Sequence, residues 1–322
     1  MIKTYLFTQT ETREDVPLDD WQSLVKEDCS LLWVDARSAT KDDIQHLASL
    51  FDLHSLAVDS MLDGYRRPHL FQFSDHFYVN MTMLSPSRNN HGIKPLEMHL
   101  FVGGRFVITA TKESACEAVD NALAEYKDTP GLCSRGPMYA VYLLSEDLVE
   151  TYYPIVDKLD DDADKLEDRM LDRPDKASLA KNFALKHRGF ELRKLLGPQR
   201  DILNDLARRD FPFIEGENQV YFQDVYNRMI RLFDILDTVR DILSGNLDIY
   251  LSTVSNRLNE VMKVLTVWSI ILMVLSFITG FYGMNFVHLP WLQSHDAFRN
   301  VVATMAVITV GMLWLFRRKK FI

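Results

Sequence analysis

A recurring set of oxygen-bearing and flexible side chains lies in the C-terminal third of the chain. Asp248, Ser252, Ser255, Asn259, Met262, Thr266, Ser269, Met273, Ser276 and Gly280 follow one another at steps of three and four, with Leu251 and Leu265 beside them. That spacing is one face of a helix with the seven-residue period of a bundle seam. Hydroxyl and amide oxygens, with no charge between 264 and 282, suit a hydrated hard cation such as Mg²⁺. Such an ion takes oxygen ligands and gives up its water reluctantly, and a charge buried in a membrane is costly. Met262 and Met273 would then be apolar constrictions that gate by dewetting. The same stripe has a plainer reading, because small residues let membrane helices pack closely. Two spans cannot enclose a channel, so the pore reading requires several copies of the chain.

The elements that carry the stripe are membrane helices by length and composition. Residues 264–282 are 19 positions without a charge, and 300–316 is a second uncharged run. About 20 apolar residues cross a bilayer as a helix. Phe298 and Arg299 extend the second run by snorkelling, and Tyr282, Trp291, Trp314 and Phe316 sit near the ends as an interfacial belt does. The alternative is a buried helical hairpin of a soluble protein. Arg257 and Lys263 precede the first span, while Arg317, Arg318, Lys319 and Lys320 follow the second as a basic cluster. The connection offers Asp296 and Arg299. Positive charge on both flanks predicts a multi-pass protein of the cell (inner) membrane with both termini cytoplasmic and the short loop outside.

Composition agrees. The 322 residues carry a formal charge of −9, with 47% hydrophobic and 25% charged residues, which excludes wholesale disorder. Residues 256–322 hold seven Lys/Arg and two acids, leaving −14 on the rest. An acidic body argues against nucleic acid as a partner. Cys29, Cys116 and Cys133 match no zinc or redox spacing and no disulfide framework. Residues 1–15 are polar, which does not read as a signal peptide. A GxxxxGK[ST] phosphate loop and an HExxH motif are both missing, so neither an ATPase nor a metalloprotease is expected.

The body reads as an α+β N-terminal domain followed by long stalk helices. Strands are expected at 3–7 and 31–34, with one hairpin pairing 70–73 with 77–83. A second pairs 96–102 with 105–110 through Gly103–Gly104. Residues 41–51 are a helix candidate, and 85–92 a polar loop. Helices are expected at 139–171 and 175–209, the latter with a kink at Gly197–Pro198. A third starts near Gln219 and meets no proline before Pro290, so if Gly245 is tolerated it runs into the first span. The acidic run Asp157, Asp160, Asp161, Asp162, Asp164, Glu167, Asp168 reads as a solvated face, or as a field that attracts cations.

At Tyr282-Gly283-Met284-Asn285 the chain resembles the CorA family of divalent-cation transporters. The run 250–266 (YLSTVSNRLNEVMKVLT), the basic end RRKKFI and Arg67–Pro68 before the first hairpin look like that family too, and so does the domain order. The resemblance implies a homopentameric funnel whose pore is five copies of the first span. Mg²⁺ is then the usual substrate, Co²⁺ and Ni²⁺ further ones, and no cofactor is needed, with Mg²⁺ also a candidate regulator. The family's selectivity motif falls on Gly283, Met284 and Asn285. Its pore positions fall on Asp248, Leu251, Ser255, Asn259, Met262, Leu265, Ser269, Met273 and Ser276, with Gly280 completing the stripe. The domains implied are 1–135 (cytoplasmic α/β), 136–263 (stalk), 264–283 (pore span), 284–298 (external loop), 299–317 (second span) and 318–322 (basic tail).

Two departures stand out. Val287 and Trp291 occupy loop positions where the family carries acids. Asp224 matches the family's regulatory acid on the long helix, but the partner segment 85–91 (SPSRNNH) has no acid. Two competing functions remain. One is Zn²⁺, Co²⁺ or Ni²⁺ transport on the same scaffold, suggested by His288 and His295. The other is a membrane-anchored sensor or scaffold without transport.

Overall fold

The computed structural model describes residues 2–26, 29–63, 67–86, 93–172, 174–208, 213, 218–284 and 296–319. Seven strands form one sheet: β1 (Ile2–Phe7), β2 (Thr12–Glu14), β3 (Leu31–Arg37), β4 (His69–Gln72), β5 (His76–Pro86), β6 (Ile93–Gly103) and β7 (Phe106–Thr111). Their order is β2-β1-β3-β7-β6-β5-β4, antiparallel except for the parallel pair β3/β7. In that pair Leu32, Val34 and Ala36 lie opposite Phe106, Ile108 and Ala110, and all six belong to one core cluster. Trp33, on the other face of β3, is also fully buried, and its indole N–H donates to Thr109 Oγ1 at 3.1 Å. A sheet covered on both sides explains the unbroken apolar run of β3.

Helices α1 (Trp21–Leu24), α2 (Lys41–Phe51) and α3 (Ser55–Leu62) accompany the first core. Thr40 starts α2 with a capping box: its backbone N–H donates to the Asp43 carboxylate, and its hydroxyl accepts from the Asp43 N–H. Ile44, Leu47 and Phe51 are the buried stripe of α2, at the bounds expected from sequence. Then come α4 (Glu117–Asp128), a 3-10 turn (Leu132–Arg135), α5 (Pro137–Glu150), α6 (Tyr153–Asp172), α7 (Lys176–Leu206), α8 (Asn218–Tyr282) and α9 (Ala297–Arg318).

Several sequence expectations are corrected. The helix read at 139–171 is two helices, broken at Thr151–Tyr152. Pro154, in the first turn of α6, has no N–H to continue the ladder. The break is pinned from outside, because the fully buried Tyr152 donates its hydroxyl to the Thr82 carbonyl of β5. Pro198, by contrast, stays inside α7. Of the loop read at 85–92, Ser85 and Pro86 belong to β5, which pairs as far as Pro86 opposite Ile93, and 87–92 lie outside the described residues. The β6–β7 ladder ends with Val102 opposite Val107, so Gly103–Gly104 is not a two-residue turn. Helices α1, α3 and α4, the 3-10 turn and strand β2 were not expected.

The chain divides into two compact units, Met1–Arg169 with Ala180–Ser244, and Met170–Leu179 with Gly245–Ile322. In the first, α8 buries Phe222, Val225, Met229, Leu232, Leu236, Val239 and Leu243, a three-four pattern along one face. In the second, the apolar windows of α8 and α9 are 11% and 0% buried in the chain itself. Neither is therefore the core helix of a soluble hairpin.

A Cβ built on Gly103 would lie 2.3 Å from the Phe106 ring, which packs against Trp21 and Phe51. Gly103→Ala is expected to cost about 1–3 kcal/mol by displacing that ring. Thermal unfolding followed by near-ultraviolet circular dichroism checks this, and an unchanged midpoint would show that the ring moves aside freely.

Candidate functional site

Along the second unit, α8 shields one face and leaves the opposite face open. Val267 and Ile271 are the buried positions, 0% and 2% exposed, with Ile270, Val274, Leu275 and Ile278 half-buried. A helix turns about 100° per residue, which sets Ser269 diametrically opposite the midpoint of Val267 and Ile271. By the same rotation Leu251, Ser255, Met262, Thr266, Met273, Ser276 and Gly280 fall within about 60° of Ser269. Asp248, Leu251, Ser255, Asn259, Leu265 and every other sequence-predicted stripe position through Gly280 is exposed in the single chain. Met262, Leu265 and Met273 are 57%, 58% and 68% exposed.

The open face alternates apolar side chains with oxygen-bearing ones. The Thr266 hydroxyl donates to the Met262 carbonyl at 2.7 Å, turning its polar group back onto its own helix while leaving lone pairs to accept. Such a face can line water or pack on a neighbouring helix, and its apolar members are too large and too numerous to be left in solvent.

Gly283 lies just past the end of α8. The Gly283 N–H closes a bond to the Thr279 carbonyl at 2.9 Å, and Met284 follows with a looser bond to Phe281 at 3.4 Å. Gly283 is not among the residues with positive φ. A Cβ there would instead stand 3.1 Å from the Thr279 carbonyl oxygen. A side chain there would have to press that carbonyl back by a few tenths of an ångström. Asn285, the loop positions Val287, His288, Trp291 and His295, and Lys320 lie outside the described residues. Arg317 and Arg318 form the last turn of α9 with Lys319 as its cap, where cations suit the negative helix end. The Arg318 guanidinium lies 5.5 Å from the centre of the Trp314 ring.

Asp224 sits in a setting the sequence reading missed. Its carboxylate accepts from Arg228 at 2.8 Å, and the same guanidinium reaches Glu146 and Glu150, each at 3.1 Å. Burial works against the Arg228 charge, but Asp224, Glu146 and Glu150 outweigh it and hold the arginine firmly protonated. Next to it Tyr142 is driven well above the usual phenol range, first by burial and then by its hydrogen bond to Glu146. An i,i+4 Asp–Arg pair on one helix is the signal that could have found this. Of the acidic run on α6, Asp161 and Asp162 have lysine neighbours, at 3.4 Å to Lys165 and 3.7 Å to Lys181. Asp160 is pushed up by burial and by Asp164 and Asp157.

Comparison with known proteins bears on this arrangement. The family model described as CorA-like Mg²⁺ transporter protein matches residues 28–318. The cobalt/magnesium transport protein CorA of Thermotoga maritima is 35% identical over 292 residues, covering 90% of this chain and 83% of that protein. The zinc transport protein ZntB of Cronobacter sakazakii is 21% identical, covering 90% and 88%. The complete structure of the CorA magnesium transporter from Methanocaldococcus jannaschii matches with a TM-score of 0.79 at 23% identity, covering 100% of this chain and 99% of that one. At that identity the likeness speaks for the fold.

Because the Asp224 carboxylate is engaged by Arg228, the variant Asp224→Ala is expected to move the Mg²⁺ concentration that half-protects the chain from trypsin by no more than about twofold. Neutralising Asp160, Asp161, Asp162 and Asp164 together should move it further. Complete loss of Mg²⁺ protection in the single variant would instead place a metal on Asp224 itself.

Proposed function

The chain belongs to the CorA-like Mg²⁺ transporter family, a family of transporters and not of enzymes, and from that premise we propose that it conducts Mg²⁺ passively across the cell membrane. The observation that carries the reading is the open, oxygen-bearing face of α8 lying opposite its shielded face. One such helix encloses nothing, and five copies around an axis would turn the stripe into a pore. The working form is then a homopentamer, with divalent cations and the lipid bilayer as its other partners.

In this reading the ion keeps most of its water. Rings of Asn285 amides at the outer mouth would hold the hydration shell, with Gly283 and Met284 setting their approach. Hydroxyls of Ser269 and Ser276 would exchange water-like contacts along the span. No charge lies between 264 and 282, so the ion meets no site deep enough to trap it. Met262 and Met273 would close the path as apolar rings that exclude water. Asp248 and Asn259 continue the stripe toward the acidic body, whose field draws cations inward. The basic residues Arg317, Arg318, Lys319 and Lys320 fix both termini on the cytoplasmic side.

A second reading, carriage of Zn²⁺, Co²⁺ or Ni²⁺ on the same scaffold, is supported by the zinc transport relative and by His288 and His295. Flux into vesicles reconstituted with the protein, with the metals in competition, decides between the two. Mg²⁺ influx that outlasts equimolar Zn²⁺ supports the first, while no flux of any metal leaves a membrane-anchored sensor or scaffold.

Two variants probe the pore directly. Asn285→Ala should abolish Mg²⁺ uptake while the oligomer still assembles, as judged by cross-linking. Wild-type flux from an assembled variant would refute the filter role. Met262→Gly should raise closed-state leak, since dewetting needs a narrow apolar ring. If Met262 only packs against a neighbouring helix, the variant loses thermal stability and conductance stays as it was.

A further inference from the structure

Away from α8, the first unit holds a groove of about 920 Å³ between α7 and two short pieces of the sheet region. One wall is the α7 face that presents Arg188, Glu191, Leu195 and Lys194, and the other is Arg67–Pro68 ahead of β4 together with Pro95 of β6. Its charged lining is Arg67, Arg188, Arg193 and Lys194 against Glu191 alone, a reversal of sign on a chain of net charge −9. Arg193 is already paired with Asp237, and His187 stands 3.2 Å from the Glu191 carboxylate. Among the described residues, Arg67, Arg188 and Lys194 have no carboxylate partner.

Like charges grouped around a concavity focus a positive potential there, so the groove favours an anion. Guanidinium groups offer forked donors that match phosphate oxygens two at a time, and lysine adds a mobile point charge. The rest of the lining is apolar: Pro68, Leu185, Leu195 and Pro198. Those walls would have nothing to contact in a simple inorganic phosphate. The volume is of the size, roughly 300–1,000 Å³, that encloses a small organic ligand.

We infer that this groove binds a phosphate ester with an apolar body, of the nucleoside triphosphate class. Its phosphate tail lies among Arg67, Arg188 and Lys194, and its base lies against the proline and leucine walls. The site is independent of which ion the pore carries.

The test titrates ATP, tripolyphosphate and adenosine into the full-length, detergent-solubilised protein in EDTA, by calorimetry. ATP should bind saturably, tripolyphosphate more weakly, and adenosine without measurable heat. The double variant Arg188→Gln/Lys194→Gln should weaken ATP binding at least about tenfold, because charge-assisted bonds are lost. Arg67→Gln, on the opposite wall, should weaken it independently. Lys165→Gln, whose lysine lies beside Asp161 on α6, should bind as wild type. Absence of saturable ATP binding overturns the site, and so does wild-type affinity in both groove variants. Tripolyphosphate binding as tightly as ATP overturns the nucleotide assignment.

Discussion

A helix in lipid must satisfy its own backbone, because no water is there to do so. The segment of α8 from 264 onward can therefore vary only in its side chains, and the one question open to the sequence is which face carries which type. Val267 and Ile271 are given to the chain's own packing, and the stripe through Ser269 and Ser276 is left for something else. That division follows from the helical period and needs no ligand to explain it. It also fixes what the proposed pore would need from the other parts: a body that holds the N-terminal half of α8 in place, and further copies to face the stripe.

The body meets the first requirement by apolar burial and the second by charge management. The sheet encloses two cores, and α8 buries an uninterrupted three-four pattern from Phe222 to Leu243 against the first unit. Around that packing the acids outnumber the bases, and copies of such a body repel. Arg228, held by Asp224, Glu146 and Glu150, is a resident cation at one of the densest acidic points. Elsewhere the acids rest on exposed helix faces, where solvent screens them.

What the sequence made legible divides along physical lines. Local signals were readable: the helix at 41–51, the proline-free length of α8, the two spans, and the pairing of β4 with β5. Each depends on residues close in the chain. The break at Thr151–Tyr152 was not foreseen although Pro154 marks it, because its anchor, the Thr82 carbonyl, lies 70 residues away. The parallel β3/β7 pair escaped for the same reason, its partners being 74 residues apart. At the candidate site the stripe was legible as a period. The Arg228 cluster joins residues of α5 and α8 and has no linear signature beyond its i,i+4 member.

The long reach from β3 to β7 has a consequence for how the protein is made. The sheet cannot close until Thr111 has been synthesised, and the first uncharged run begins only at Val264. At about 5–20 residues per second, that interval lasts roughly 8–30 s. Mixed sheets of this size close in milliseconds to seconds once their strands are available. The sheet is then already closed when the nascent chain presents its first membrane segment, while α8 completes the body only about 20 residues before it. The machinery that inserts α8 and α9 thus receives a closed sheet trailing long helices and an apolar hairpin, with the aggregation-prone strands paired before the lipid-seeking residues emerge.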